Sequence, residues 1–132
     1  MYKMTKYLTL ENLGWVILTI VSLMLGMGAV SKIVGTQEMV SNFEFMKLSD
    51  YRVLVGIGEL VGVGLLLFPR TSAFGAILIS CFMSGAVMAH LSLMGGQGVF
   101  SPIMVGLLAW VGHSLREYSS PLRPYYDPQN VL

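Results

Sequence analysis

Twenty consecutive residues, Asn12 to Ser31, carry no charge. As a helix they measure about 30 Å, enough to cross the hydrocarbon core of a bilayer. Lys3 and Lys6 precede this stretch, and Gly26-Met27-Gly28 has the small residues a signal peptidase accepts. The apolar sequence nevertheless continues to Val34, so an uncleaved span over 12–34 is favoured and a cleaved leader is the rival reading. Composition agrees with lipid exposure. The 132-residue chain is 55% hydrophobic, 11% charged and has a mean hydropathy of +0.71, against about 25% charge in soluble domains.

Three more apolar runs follow. The second span, 52–68, starts after Ser49 or Asp50 as a helix cap and stops at Pro69. The third, 71–94, is capped by Thr71 or Ser72, carries His90 near its end, and is broken by Gly95-Gly96-Gln97-Gly98. The fourth, 101–115, has Ser101 as cap and Pro102 at the first helical position, where a missing N–H costs nothing. Pro121, Pro124 and Pro128 argue against a fifth helix in the tail, 118–132. The expected fold is therefore all-α: one integral membrane four-helix bundle over residues 1–117, followed by a proline-rich cytoplasmic tail.

Between spans one and two, Met39, Phe43 and Met46 recur at helical spacing after Thr36, while Glu38, Asn42 and Lys47 are polar. A short interfacial helix over 37–47 is expected, with a simple connector favoured over a lid. Four spans place both termini on one side with Lys3, Lys6, Arg70, Arg116 and Arg123; Lys32, Lys47 and Arg52 fall on the other. Five positive charges against three favour cytoplasmic termini. Trp15 and Trp110 fall near the cytoplasmic ends of their spans, as interfacial anchors do.

Several function classes drop out. A net charge of +1 without a basic block offers no footprint for nucleic acid. A single cysteine, Cys81, excludes a disulfide, a CxxC pair or a cysteine zinc site within one chain, and no metal site is expected. The ten methionines are scattered and read as packing material. Gly56-x-Gly58 and Gly62-x-Gly64 lie in a membrane span with no preceding strand, so a nucleotide loop is rejected. His113, near the cytoplasmic end of span four, reads as an interfacial imidazole; it cannot join His90 as axial ligand of one haem.

Glu59 is the unusual residue, a carboxylate in the apolar run Val53 to Phe68. A charge at mid-membrane costs about 2.5 to 3.5 kcal/mol on insertion scales, so such groups face the bundle interior. Counted at about 1.5 Å per residue from the outer ends, Lys32 lies about 5 Å deep, His90 about 7 Å and Glu59 about 10 Å. Gly56 and Gly62 flank Glu59, Gly28 and Gly35 flank Lys32, and together with Gly58 these are the candidate helix-packing residues. Lys32, Glu59 and His90 are thus expected to converge as a ligand-binding or proton-relay cluster, Glu59 being neutralised by Lys32 and sharing a hydrogen bond with His90. An ion pair that only fixes helix register is the alternative. Catalytic residues are not identifiable.

The segments Ser31-Lys32-Ile33-Val34-Gly35, Val55-Gly56-Ile57-Gly58-Glu59-Leu60-Val61-Gly62, Leu67-Phe68-Pro69-Arg70-Thr71 and Gly85-Ala86-Val87-Met88-Ala89-His90 resemble the DoxX-like family of small four-helix membrane proteins, over about Trp15 to Leu115. The resemblance implies a bacterial cytoplasmic membrane. Some relatives in the DoxX and DoxD group are associated with quinone-linked membrane oxidoreductases and others act as assembly chaperones, so the family implies no single chemistry. Two readings stay open. One is a non-enzymatic binding, assembly or accessory component whose partners are the lipid bilayer and another membrane protein or a second copy of itself. The other is a membrane subunit of an oxidoreductase that binds a quinone-like amphiphile at Lys32, Glu59 and His90. The chain has no intrinsic cofactor ligand set, so the second reading requires a redox-enzyme partner or diffusible carrier.

Overall fold

Thr9 opens the first helix by accepting a hydrogen bond from the Asn12 N–H at 3.2 Å, satisfying one of the donors a helix start leaves free. In the computed structural model, which describes residues 9–118, this helix is α1, Leu10–Val34. It is followed by α2 (Gln37–Phe45), a 3₁₀ turn (Ser49–Tyr51), α3 (Arg52–Leu67), α4 (Ser72–Leu93) and α5 (Phe100–Tyr118). The described residues are all-helical, without a strand. The tail beyond 118 and the charges Lys3, Lys6 and Arg123 lie outside them.

Helix boundaries shift by a few residues from expectation, and α5 begins at Phe100, so Ser101 lies inside it and is not its cap, nor is Pro102 its first residue. Two of the shifts have identifiable reasons. The short helix ends at Phe45, not 47, because Lys47 is left-handed (φ 56°) and the N–H of Leu48 turns back to the Phe43 carbonyl. The last helix runs past 115 to Tyr118. Arg116 does not end it as a flanking loop charge. It is buried, and its guanidinium donates to the Leu66 and Leu67 carbonyls at the end of α3, both at 3.2 Å. Those carbonyls lack partners within their own helix. Arg116 also lies over the Trp15 ring, 4.6 Å from its centroid. At the other end of α1, Gly35 adopts φ 80° and the Thr36 N–H bonds the Ser31 carbonyl. Gly35 is therefore a helix stop, where a residue with a Cβ is strained, and not a helix-packing position.

The four long helices pack in a ring, α1 against α3 and α5, and α4 against the same two. Hydropathy cannot show which faces turn inward, because α1 and α4 are apolar nearly all round. Small side chains mark those faces. The buried positions of α1 are Gly14, Leu18, Val21, Ser22, Leu25 and Ala29, and those of α5 include Ala109 and Gly112. A Cβ at Gly56 meets the Ala29 carbonyl at 2.8 Å, and one at Gly112 meets Leu18 at 2.8 Å. Gly62 lies against Ile79, Gly58 against the Phe82 ring, and Gly75 against the backbone of Leu65 and Leu66. Close backbone approach of this kind is how helices associate where lipid tails are as apolar as leucine.

Larger apolar side chains face outward, among them Leu23, Met27, Leu54, Phe74, Met88 and Leu107. An apolar surface this extensive is unusual for a protein in water. Two helices, α1 and α4, are long and apolar enough to cross a membrane. The 16 residues of α3 rise only about 24 Å, and α5 carries His113, Arg116 and Glu117 toward its end.

The glycine contacts predict a contrast between neighbours. Gly75→Ala forces a Cβ into the α3 backbone and lowers stability by about 2 kcal/mol. Gly64→Ala, with open space around its Cβ, stabilises by up to about 1 kcal/mol. Thermal unfolding in mild detergent, followed by circular dichroism, measures both; equal effects would show that the α3/α4 contact is looser than described.

Candidate functional site

The C-terminal end of α1, the first half of α3, the second half of α4 and the start of α5 enclose a pocket of about 490 Å³, with α2 as a further wall. That size falls within the usual range for small-molecule sites, about 300 to 1,000 Å³. Lys32, Glu59 and His90 all line it. Lys32 Nζ donates to Glu59 Oε2 at 2.8 Å and, more weakly, to the Gly28 carbonyl at 3.4 Å. The Glu59 side chain is 6% exposed and that of Lys32 17%. Backbone geometry makes this pairing possible: a Cβ at Gly56, one turn before Glu59, approaches Lys32 Cβ to 3.2 Å, so α3 lies directly on the Lys32 turn of α1. Arg52 strengthens the same junction, its guanidinium donating to the Lys32 carbonyl.

His90 takes a different partner from the one expected. Its Nδ1 donates to the Gln97 carbonyl at 2.6 Å, and no hydrogen bond joins it to Glu59. The reason lies in the glycine turn after α4: Gly95, Gly96 and Gly98 all have positive φ, which folds the chain back over the imidazole and brings Gln97 to it. A proton on Nδ1 leaves Nε2 as an acceptor in the neutral ring. Gly28 also departs from its expected packing role, since a Cβ there meets only Lys32 Nζ, at 3.6 Å, and the residue lines the pocket.

Apart from these groups, Asn42 and Ser101, the wall is apolar and rich in sulfur. Met24, Met39, Met46, Met83 and Met94 contribute, five of the chain's ten methionines. Scattered in sequence, they are brought together by the ring of helices, and their flexible thioethers form an adaptable lining. Met39, Asn42, Phe43 and Met46 put one face of α2 on the pocket, so this helix is a wall and more than a connector. On the outer side of α4, Cys81 and Gly85 both line the pocket and are exposed, with open space around Gly85. Met24, Leu48 and Ser101 are also exposed lining residues, so the pocket reaches the surface, and its α4 side adjoins exposed apolar side chains such as Met88.

The model of the DoxX-like family matches residues 16–112. The chain belongs to the DoxX-like family. That match takes in α2, α3 and α4 whole, most of α1 and α5, and every residue that lines the pocket. Neither the curated proteins nor the solved structures gave a significant match. The family and the two apolar helices together suggest a membrane protein.

This DoxX-like chain has a second polar group at the opposite end of the ring. His113 Nδ1 shares a 2.8 Å hydrogen bond with the hydroxyl of fully buried Ser72, and its ring meets Trp110 edge-on at 5.8 Å. Trp110 Nε1 donates to Ser80 Oγ at 2.9 Å. His113 and Trp110 are therefore tied to α4 by side-chain hydrogen bonds, and Trp15 holds Arg116. These contacts join helices and enclose no cavity with the pocket residues. Sequence spacing missed them because a residue near a span end reads as an anchor whether or not it also reaches a neighbouring helix. Among the described residues no group of three or more His, Cys, Asp or Glu is placed to hold a metal ion.

The ion pair has a stability signature separable from any ligand. Glu59→Ala leaves the Lys32 ammonium without its carboxylate and should cost about 3 kcal/mol, whereas Lys32→Met combined with Glu59→Leu should recover most of that loss. Unfolding titrations of the single and double variants in mixed micelles test this. If the double variant is no more stable than Glu59→Ala, packing around Glu59 and not charge pairing accounts for the loss.

Proposed function

We propose that the chain is a membrane protein of four crossing helices that binds a small apolar or amphiphilic molecule without transforming it, as an accessory or assembly component. The observation carrying this reading is the Lys32–Glu59 pair at the wall of a mainly apolar, methionine-rich pocket. The exposure of the lining residues Met24, Cys81 and Gly85 on helix faces supports entry from the lipid. Ligand sites commonly combine such apolar walls with a few convergent polar groups. The contacts at Gly56, Gly58, Gly62 and Gly75 lie within the chain, which favours a small ligand over a second membrane segment docked on those glycines. In this reading the termini are cytoplasmic and the pocket lies in the outer leaflet of a bacterial cytoplasmic membrane. The short α3 then crosses with help from the 3₁₀ turn before it, and buried Arg116 marks the cytoplasmic end.

A second reading makes the chain the membrane subunit of an oxidoreductase, with a quinone-like head group at Lys32, Glu59 and His90. The same pocket supports it, because a quinone is also an amphiphile with a polar ring. Here His90 Nε2 accepts from or exchanges a proton with the head group, and Glu59 relays protons. Electrons would need a redox partner or a diffusible carrier.

Native mass spectrometry of the full chain released from mild detergent tests both readings against a Gly28→Leu variant, whose side chain fills the pocket beside Lys32. A small molecule retained by the natural chain and lost from Gly28→Leu is the expected result, and a quinone among such molecules favours the second reading. An attached membrane polypeptide without a small molecule assigns the chain to partner assembly. If both proteins fly empty, the ion pair serves helix register alone.

A further inference from the structure

The charge balance of the pocket restricts what it can hold, given the reading that it is a binding site. Lys32 and Glu59 carry opposite unit charges and are joined at 2.8 Å, so the pair is neutral as a unit. The other charged groups at this end of the molecule do not alter that balance. Arg52 is turned onto the Lys32 carbonyl and is not part of the wall. Glu38, Glu44, Lys47 and Asp50 are exposed and also absent from it. An ionic head group would therefore bring an uncompensated charge into an apolar enclosure, which costs far more than burying a hydrogen-bonded neutral group.

Hydrogen-bonding capacity narrows the choice further. An ammonium has three donors, and Lys32 directs two of them at Glu59 Oε2 and the Gly28 carbonyl. A carboxylate has two acceptor oxygens, and Lys32 engages one. One donor and one acceptor thus remain within a few ångströms of each other on the pocket wall. His90 adds no second donor from Nδ1, because that proton is committed to Gln97.

We propose that the ligand is an electrically neutral amphiphile whose head both donates and accepts a hydrogen bond, such as a hydroxyl or primary amide on an apolar chain. Its hydroxyl or amide oxygen accepts from Lys32 Nζ while its O–H or N–H donates to the free oxygen of the Glu59 carboxylate. The apolar chain lies along the methionine wall. Discrimination against ions is then a property of the paired state, and breaking the pair changes the sign of the preference.

Three probes of equal chain length, 1-dodecanol, dodecyl phosphate and dodecylammonium, test this with the full chain in lipid nanodiscs. Each is supplied at the same membrane mole fraction and the retained probe is counted by native mass spectrometry. The natural chain should retain dodecanol about tenfold better than either ion. Glu59→Gln leaves the Lys32 cation unpaired and should raise dodecyl phosphate retention about tenfold without raising that of dodecylammonium. The reversed pair, Lys32→Glu with Glu59→Lys, should restore the preference for dodecanol. Should Glu59→Gln fail to fold, the ranking in the natural chain still decides. A natural chain that retains either ion as well as dodecanol overturns the neutral-head assignment and leaves the binding reading standing. Retention of none of the three overturns the binding reading itself.

Discussion

Backbone contact at glycine is the constraint on which the arrangement rests. Helices surrounded by lipid gain no hydrophobic force from meeting one another and adhere through close packing and polar links, and the contacts of this chain are of that kind. Gly56 lets α3 lie on the Ala29 to Ile33 stretch of α1, and Gly75 lets the other end of α3 lie against α4. Gly14 and Gly112 serve the α1/α5 contact. With these approaches in place, Glu59 has a fixed rotation and depth, and Lys32 is within reach. A bulkier residue at Gly56 would push α3 away from the lysine and separate the charges.

Two arginines bind the ends of α3 to its neighbours. Arg52, its first residue, donates to the Lys32 carbonyl on α1, while Arg116 from α5 donates to its last carbonyls. Helix ends carry unsatisfied carbonyls, and in an apolar environment an unpaired one is costly. The two links thus satisfy backbone groups at opposite ends of the ring, at positions where α1 and α3 terminate. They leave the ends functionally different. One end is closed by Arg116, Trp15, His113 and Ser72; the other opens into the pocket, with α2 as a further wall.

That openness bears on what the ion pair does. A buried pair is weak grounds for stability, because desolvation offsets most of the Coulomb attraction. It is better placed as a polar fixture on the wall of an apolar space. Five thioethers around it adapt to the shape of a guest more readily than branched side chains could. The loop after α4 adds a third polar group, since the His90 to Gln97 bond fixes the imidazole through a turn with three positive-φ glycines, Gly95, Gly96 and Gly98.

Helix positions were legible because prolines, glycine runs and charges punctuate the apolar stretches, and helical rise converts residue number into depth; the expected caps contributed little, since Tyr51 precedes α3, Thr71 makes no side-chain cap bond and Ser101 lies inside α5. Counting that rise brought Lys32 and Glu59 to one level, and their side chains do meet. The same count could not show that His90 turns to Gln97, because that bond depends on the path of the loop. Nor could it place Arg116, whose neighbours in sequence, His113 and Glu117, suggest a water-facing helix end while its partners come from α3, about fifty positions earlier. By itself the sequence determined an all-helical chain with apolar helices, a charged pair inside them and small residues on the faces that pack, since these follow from local propensity and the cost of burying charge. The pocket, its methionine lining and the use of α2 as a wall were decided only by tertiary structure. Each depends on the angles at which distant helices meet, and no local pattern of residues encodes them.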